Sequence, residues 1–268
     1  MSRARDDTPV VAAPEPAFDL DADAFRRRIQ VETVEPGVVV GALEDDFHHF
    51  EVTLRHDGTH VVGVEATAHR WPWSTCPDAA VVLQELVGMP LGPRFTDVAS
   101  VTDPRHHCTH QLDAAAHAIT LAAHRREARC YDVEVPRAVD GVSRNRLWVD
   151  GCLALAWTVR HGVGLVDPEP PFGEAPWKGG FMRWADAHLD PDTAEQAIVL
   201  RRGSDIGMGR GMVATLDRLD TAARLSPMMA SICYTMQPDR SGSARRNRGH
   251  WRDFATEPDR LLDPPARR

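Results

Sequence analysis

Lysine is almost missing from this chain of 268 residues: Lys178 is the only one. Schiff-base chemistry would rest on that single amine, in a Gly-rich loop, which argues against it. Positive charge is also outweighed. There are 39 Asp and Glu against 31 Lys and Arg, a formal net charge of −8. A surface of that sign repels the phosphates that a nucleic-acid-binding protein must hold. The local exceptions, Arg26-Arg27-Arg28 and Arg245-Arg246-Asn247-Arg248, read as solvated surface. No apolar run approaches the ~20 residues needed to span a bilayer. The N-terminal stretch, residues 1–24, is rich in Pro, Ala and Asp and lacks the apolar centre of a signal peptide. A cytoplasmic protein that binds neither nucleic acid nor membrane is expected. The five cysteines (Cys76, Cys108, Cys130, Cys152 and Cys233) are few, odd in number and widely spaced, so no disulfide framework is implied.

The familiar catalytic signatures are missing as well. The chain has no Gly-x-Ser-x-Gly elbow, no phosphate loop ending in Gly-Lys, and no His-Glu-x-x-His pair. Gly207, Gly209 and Gly211 are spaced as Gly-x-Gly-x-Gly, which is not the dinucleotide fingerprint, and no clear strand precedes them. No organic cofactor is expected.

What remains can fold. Hydrophobic residues make up 43% of the chain, enough for a sizeable core. Residues 1–24 read as a flexible tail, 25–236 as one domain, and 237–268 as a polar C-terminal extension. Strands are expected over residues 28–34, 38–43, 47–55 and 60–68. The pairs are joined by the turn signals Glu35-Pro36-Gly37 and His56-Asp57-Gly58-Thr59. Helices are expected from Pro77 to Gly88 and from His110 to His124. Further strands follow over residues 131–135, 146–149 and 152–160. After a Pro- and Gly-rich loop come helices over 181–189, 191–202, 212–224 and 227–236. Strands followed by helices point to α+β, with a mainly antiparallel sheet packed by helices and a helical C-terminal part. No internal repeat stands out.

The densest chemistry is Arg105-His106-His107-Cys108-Thr109-His110, with three imidazoles and a thiol at a helix start. With Thr109 as N-cap, Cys108 and His110 would converge near the unpaired N–H groups of the helix end, where a thiolate is favoured. An earlier start would swing them about 200° apart. His106 and His107 read as surface. Alternation along the third strand puts His48 on the apolar face with Phe50, Val52 and Leu54, while His49 faces solvent. Cys76 precedes Pro77 at the other helix start. Arg70 could anchor a carboxylate or phenolate, and Trp71 and Trp73 could wall a flat ligand. Cys152 and Cys233 read as buried structural thiols.

Four pieces of sequence resemble the bacterial family DUF2889, a domain of unknown function. They are His48-His49-Phe50-Glu51-Val52-Thr53-Leu54, Trp73-Ser74-Thr75-Cys76-Pro77, Leu86-Val87-Gly88-Met89-Pro90-Leu91 and His107-Cys108-Thr109-His110-Gln111-Leu112. Cys152-Leu153-Ala154-Leu155 is similar to the family's later Cys-containing strand. The likeness spans most of residues 28–160. His107 stands where the family usually has Gly. The resemblance implies landmarks rather than an activity: His48, Cys76, Cys108 and His110, which the physical reading also selects.

Three functions are weighed. The first is a small-molecule enzyme without organic cofactor, a lyase or isomerase acting on an aromatic or carbonyl compound. His48, Cys76, Cys108 and His110 would supply acid–base chemistry, and Arg70, Trp71 and Trp73 would bind substrate. The second is a zinc enzyme or structural zinc protein using His48, Cys76, Cys108 and His110 as a Cys₂His₂ set. The third is a non-catalytic small-ligand-binding protein. A homo-oligomer is compatible with all three.

Overall fold

The computed structural model describes residues 23–225 and 229–263. Eight strands form one antiparallel sheet in the order β4-β3-β2-β1-β5-β6-β7-β8. They are β1 (Ala24–Glu35), β2 (Val38–Asp45), β3 (His49–His56), β4 (Val61–Arg70), β5 (Ala128–Pro136), β6 (Val142–Val149), β7 (Cys152–Arg160) and β8 (Gly164–Leu165). Helix α1 (Thr109–Ala123) packs against β1, β2 and β3. Helix α3 (Pro191–Gly207) packs against β5, β6 and β7, and α2 (Phe181–His188) lies beside α3. A short α4 (Val213–Leu216) follows. This is the α+β fold expected.

The helices gather on one face of the sheet because the strands alternate. Phe25, Ile29, Val39, Leu43, Val52 and Leu54 are buried in the main core with Leu112, Ala115 and Ile119 of α1. Gly41 lets α1 lie close: a Cβ there would sit 2.6 Å from the carbonyl oxygen of Ala114. The other face is crossed by the C-terminal segment. The main-chain oxygen of Ala255 accepts from Arg26 Nη2 at 3.2 Å, and Leu262 N donates to Glu44 at 2.7 Å. Phe254 and Leu261 are buried there, packed with Trp148. Residues 237–263 of the polar extension are thus folded onto the domain.

The topology carries a repeat that the sequence does not show. Two meanders of four strands, each followed by a packed helix, meet where β1 pairs with β5. The first hairpin pairs Arg27 with Asp45, and Tyr131 and Val149 take the matching places in the second. The charged pair therefore belongs to one half only.

Several expectations change. Arg26 and Arg27 are fully buried, because Arg26 pairs with Glu134 and Arg27 with Asp45. They are not solvated surface. Arg246 is buried too, paired with Asp217 at 2.9 Å. Pro77–Leu86 forms successive 3₁₀ turns rather than an α-helix. The helix expected over 212–224 shrinks to α4 and a 3₁₀ turn, Ala222–Arg224. Pro227 and Met228, with most of the N-terminal tail, lie outside the described residues. The rest of the 227–236 segment ends in a 3₁₀ turn, Tyr234–Met236, with Cys233 extended.

Candidate acid–base site

The site starts where β2 ends. Asp45 faces the core beside Leu43 and lies opposite Arg27 of β1. A tight turn then folds the chain back, with Asp45 N donating to His48 O at 2.9 Å. The Asp45 carboxylate closes the turn. Its Oδ1 accepts from Phe47 N at 2.7 Å, His48 N at 2.8 Å and His48 Nδ1 at 3.0 Å. Its Oδ2 accepts from Arg27 Nε at 3.0 Å and Nη2 at 2.5 Å. Burial alone would raise the Asp45 pKa, but His48 and Arg27 hold it well below the usual carboxylate range. An ionised carboxylate only accepts, so Nδ1 of His48 carries the proton and Nε2 is the bare lone pair. No residue among those described hydrogen-bonds Nε2.

His110 comes from the first turn of α1. Its ring stacks on that of His48, with centroids 3.7 Å apart and planes 23° off parallel. Burial, then His48 and Arg27, hold its pKa well below 6.5. The His48 pKa is also lowered by burial, against the pull of Asp45. Both rings are therefore neutral near pH 7. The site is enclosed: His110 is 7% exposed, and 11% of the His48 side chain remains exposed.

Arg70 braces the turn. Its Nη2 donates to Glu44 Oε1 at 3.0 Å, Asp45 O at 2.5 Å and His48 O at 3.1 Å. Its Nη1 donates to Asp46 O at 3.0 Å and His250 O at 3.2 Å. With these donors engaged, Arg70 is a structural clamp rather than the substrate anchor expected. Trp73 is buried in an apolar cluster under Arg246, and Trp71 packs half-buried beside it, so neither forms the expected ligand wall.

The thiols part company with the histidines. Cys76 and Cys108 are buried in that cluster with Phe50, Trp73 and Ala79. Cys76 Sγ lies 3.6 Å from Thr235 Oγ1, and burial pushes its pKa up to about 12. Burial, then Cys76, pushes Cys108 well above 9.0. Cys108 is itself the cap residue of α1, without a side-chain capping bond. Desolvation overrides the helix-end effect, so the expected thiolate does not form. The Cys₂His₂ set does not assemble either. Among the described residues, the group that could share an ion is Asp45, His48 and His110, whose ligand atoms lie within 4.8 Å of one another.

His107 is fully buried, with Nε2 2.7 Å from Thr102 Oγ1, so only His106 is the surface residue expected. His49 is half-buried between Glu44 and His69, and burial lowers its pKa to about 4. Cys152 is exposed and Cys233 half-buried.

Asp45 and Arg27 are the site residues that sequence reasoning missed. Extending β2 by two residues would have put a charged Asp45 in phase with Val39 and Leu43, a signal that it needs a buried partner. Comparison with curated proteins gives no match, and comparison with solved structures gives none. Residues 12–124, which carry Arg27, Asp45, His48 and His110, match the model of the family described as Protein of unknown function (DUF2889).

Proposed function

We propose that this protein is a small-molecule enzyme without organic cofactor, a lyase or isomerase that acts on an aromatic or carbonyl compound through histidine acid–base chemistry. The observation that carries the reading is the Asp45–His48 pair. The carboxylate fixes Nδ1 at 3.0 Å and leaves Nε2 unbonded beside a second neutral ring. In this reading Nε2 of His48 removes a proton from carbon, and Asp45 stabilises the imidazolium that forms. The electron pair moves onto the carbonyl oxygen, which takes a hydrogen bond from the neutral His110 ring. The proton then returns at another carbon, or a leaving group departs. The thiols take no part, because burial keeps them protonated.

Deuterium exchange from solvent into a panel of carbonyl and benzylic compounds, followed by NMR, tests this. Wild-type protein is expected to label at least one compound, and His48→Ala and His110→Ala to abolish labelling with the fold intact. Labelling that persists in His48→Ala, or none by wild-type protein, would overturn it.

The closeness of Asp45, His48 and His110 also favours a second reading, a zinc site. Both Asp45 oxygens already accept hydrogen bonds, so the carboxylate would orient His48 from behind, as carboxylates behind metal-bound histidines do. Only His48 Nε2 and His110 would face the ion. Imidazole binds metal in the ring plane, and stacked rings direct their lone pairs side by side rather than to one point. Titration with Zn²⁺ separates the readings. Stoichiometric binding lost in both His48→Ala and His110→Ala, and kept in Cys76→Ala and Cys108→Ala, would support zinc. No helix among the described residues is long and apolar enough to cross a membrane, which is compatible with a small-molecule substrate reached from water.

A further inference from the structure

A cleft of about 280 Å³ is lined by Val82, Glu85, His106, Gln237, Asp239 and Arg240. Drug-sized ligands usually occupy ~300–1,000 Å³, so this space suits a smaller molecule. Its walls come from three separate segments: the 3₁₀ turns of Pro77–Leu86, the turn Pro104–His106 ahead of α1, and the C-terminal extension. Hydrogen bonds clamp the extension to that turn. Tyr234 N donates to His107 O at 2.8 Å, and Gln237 Nε2 donates to Arg105 O at 2.7 Å and to Cys233 O at 3.4 Å. Gln237, Asp239 and Arg240 lie beyond residues 12–124, so the family match gives no account of this cleft.

A buried chain of hydrogen bonds holds Glu85 from behind. Thr102 Oγ1 donates its single proton to Glu85 Oε2. The 2.7 Å bond between Thr102 Oγ1 and His107 Nε2 is therefore donated by the ring. His107 is fully buried, and this tautomer leaves its Nδ1 a buried acceptor without a partner. Buried acceptors are seldom left so, and one that is asks for an explanation. Here the ring and the hydroxyl orient a carboxylate that faces the cleft and is 54% exposed. No Arg or Lys among the described residues pairs with Glu85.

The cleft offers both signs of charge. Glu85, Asp239 and the amide oxygen of Gln237 are acceptors, and an ammonium group has three N–H to give. Arg240 brings a guanidinium, whose fork matches a carboxylate. It is seated on Tyr234, with Cζ 4.1 Å from the ring centroid, and its ion pair is with the adjacent Asp239 at 3.5 Å. Val82 adds an apolar surface. A metal ion fits less well, because Glu85, His106 and Asp239 are not a group whose ligand atoms lie within 4.8 Å of one another.

We propose that this cleft binds a small α-amino acid, its ammonium group on Glu85, Asp239 and Gln237 and its carboxylate on Arg240. The cleft shares no lining residue with Asp45, His48 and His110, so this binding and the acid–base chemistry stand or fall separately.

Isothermal titration calorimetry of the full chain with each standard amino acid in turn, up to millimolar concentration, tests this. At least one is expected to bind saturably. Its amine analogue, without the carboxylate, and its acid analogue, without the ammonium group, are each expected to bind at least tenfold more weakly. Glu85→Gln and Arg240→Gln change partly exposed side chains, and thermal unfolding checks that each variant folds. Both are expected to weaken the amino acid at least tenfold. Glu85→Gln should weaken the amine analogue and spare the acid analogue, and Arg240→Gln should do the reverse. No saturable binding by any amino acid would overturn the proposal. So would an amine that binds as tightly as the amino acid, or undiminished binding in either variant. Binding kept in His48→Ala is expected; binding lost there would put the amino acid at the acid–base site and overturn the assignment to this cleft.

Discussion

Nδ1 of His48 and the main-chain N–H of the same residue reach one oxygen of Asp45, at 3.0 and 2.8 Å. That oxygen fixes both the turn and the tautomer. An amide at this position could keep the backbone bonds but would not enforce a proton on Nδ1. Asp45→Asn should therefore lower exchange activity about 10²–10⁴-fold. It also leaves Arg27 buried without a charged partner, a loss of about 3–5 kcal/mol. Ring-nitrogen NMR and thermal unfolding on the same sample would show both effects. An unchanged His48 tautomer with unchanged rate would contradict the assignment.

The pH dependence of stability follows from the same burial. The pKa values of His48 and His110 are lowered in the fold, and those of His49 and His250 fall to about 4. Unfolded, each takes a proton near 6.5, so below that pH the unfolded chain binds more protons. Their contribution is present above pH 6.5 and is lost as pH falls toward the folded values. Asp46 acts the other way. Burial raises its pKa to about 7, so it favours the fold as pH drops from about 7 toward 4. Asp113, also raised by burial, acts with Asp46, while His107 and His161, also lowered by burial, act with the other histidines, so six imidazoles outweigh two carboxyls. The melting temperature by calorimetry should be lower at about pH 5 than at about pH 7.5, and His110→Leu should flatten that slope. A melting temperature that is level or rising toward acid would contradict it.

Much of this was legible beforehand. Alternation in β3 placed His48 with Phe50 on the core side, and the helix starting at Cys108-Thr109 delivered His110. What misled was charge. Arg26 and Arg27 looked like surface because a run of arginines usually is, yet here Glu134 comes from the distant strand β5 and Asp45 from the neighbouring strand β2 to receive them. Register across β1, β2 and β5 makes those pairs, and register is not visible from one strand. The thiols misled for a related reason. A helix start favours a thiolate only where water or charge can reach it, and the packing of Phe50, Trp73 and Ala79 removes both.

Reactivity of the cysteines follows. Cys76 and Cys108 are buried, and burial pushes the half-buried Cys130 to about 12 as well. Cys152 alone of the five is exposed. Iodoacetamide at neutral pH should label Cys152 in the native protein and reach Cys76 and Cys108 only after denaturation. Mass spectrometry of digests resolves the sites. Fast native labelling of Cys108 would restore the thiolate excluded above.

The approach of α1 to the sheet sets how deeply His110 enters the site, and Gly41 sets that approach. A methyl group there would sit 2.6 Å from the backbone oxygen of Ala114, and a main-chain atom yields only if the helix moves. Gly41→Ala should thus cost about 1–3 kcal/mol, the usual range for overpacking. It should also separate the His48 and His110 rings, now 3.7 Å apart. Gly203→Ala provides the control. It forces a similar clash, 2.6 Å from the Val133 side chain, under α3 in the other half of the fold. Both variants should lose stability, but only Gly41→Ala should change the ring-nitrogen shifts of His48 and His110. Equal shift changes in the two variants would mean that the site reports the stability of the whole domain rather than the seating of α1.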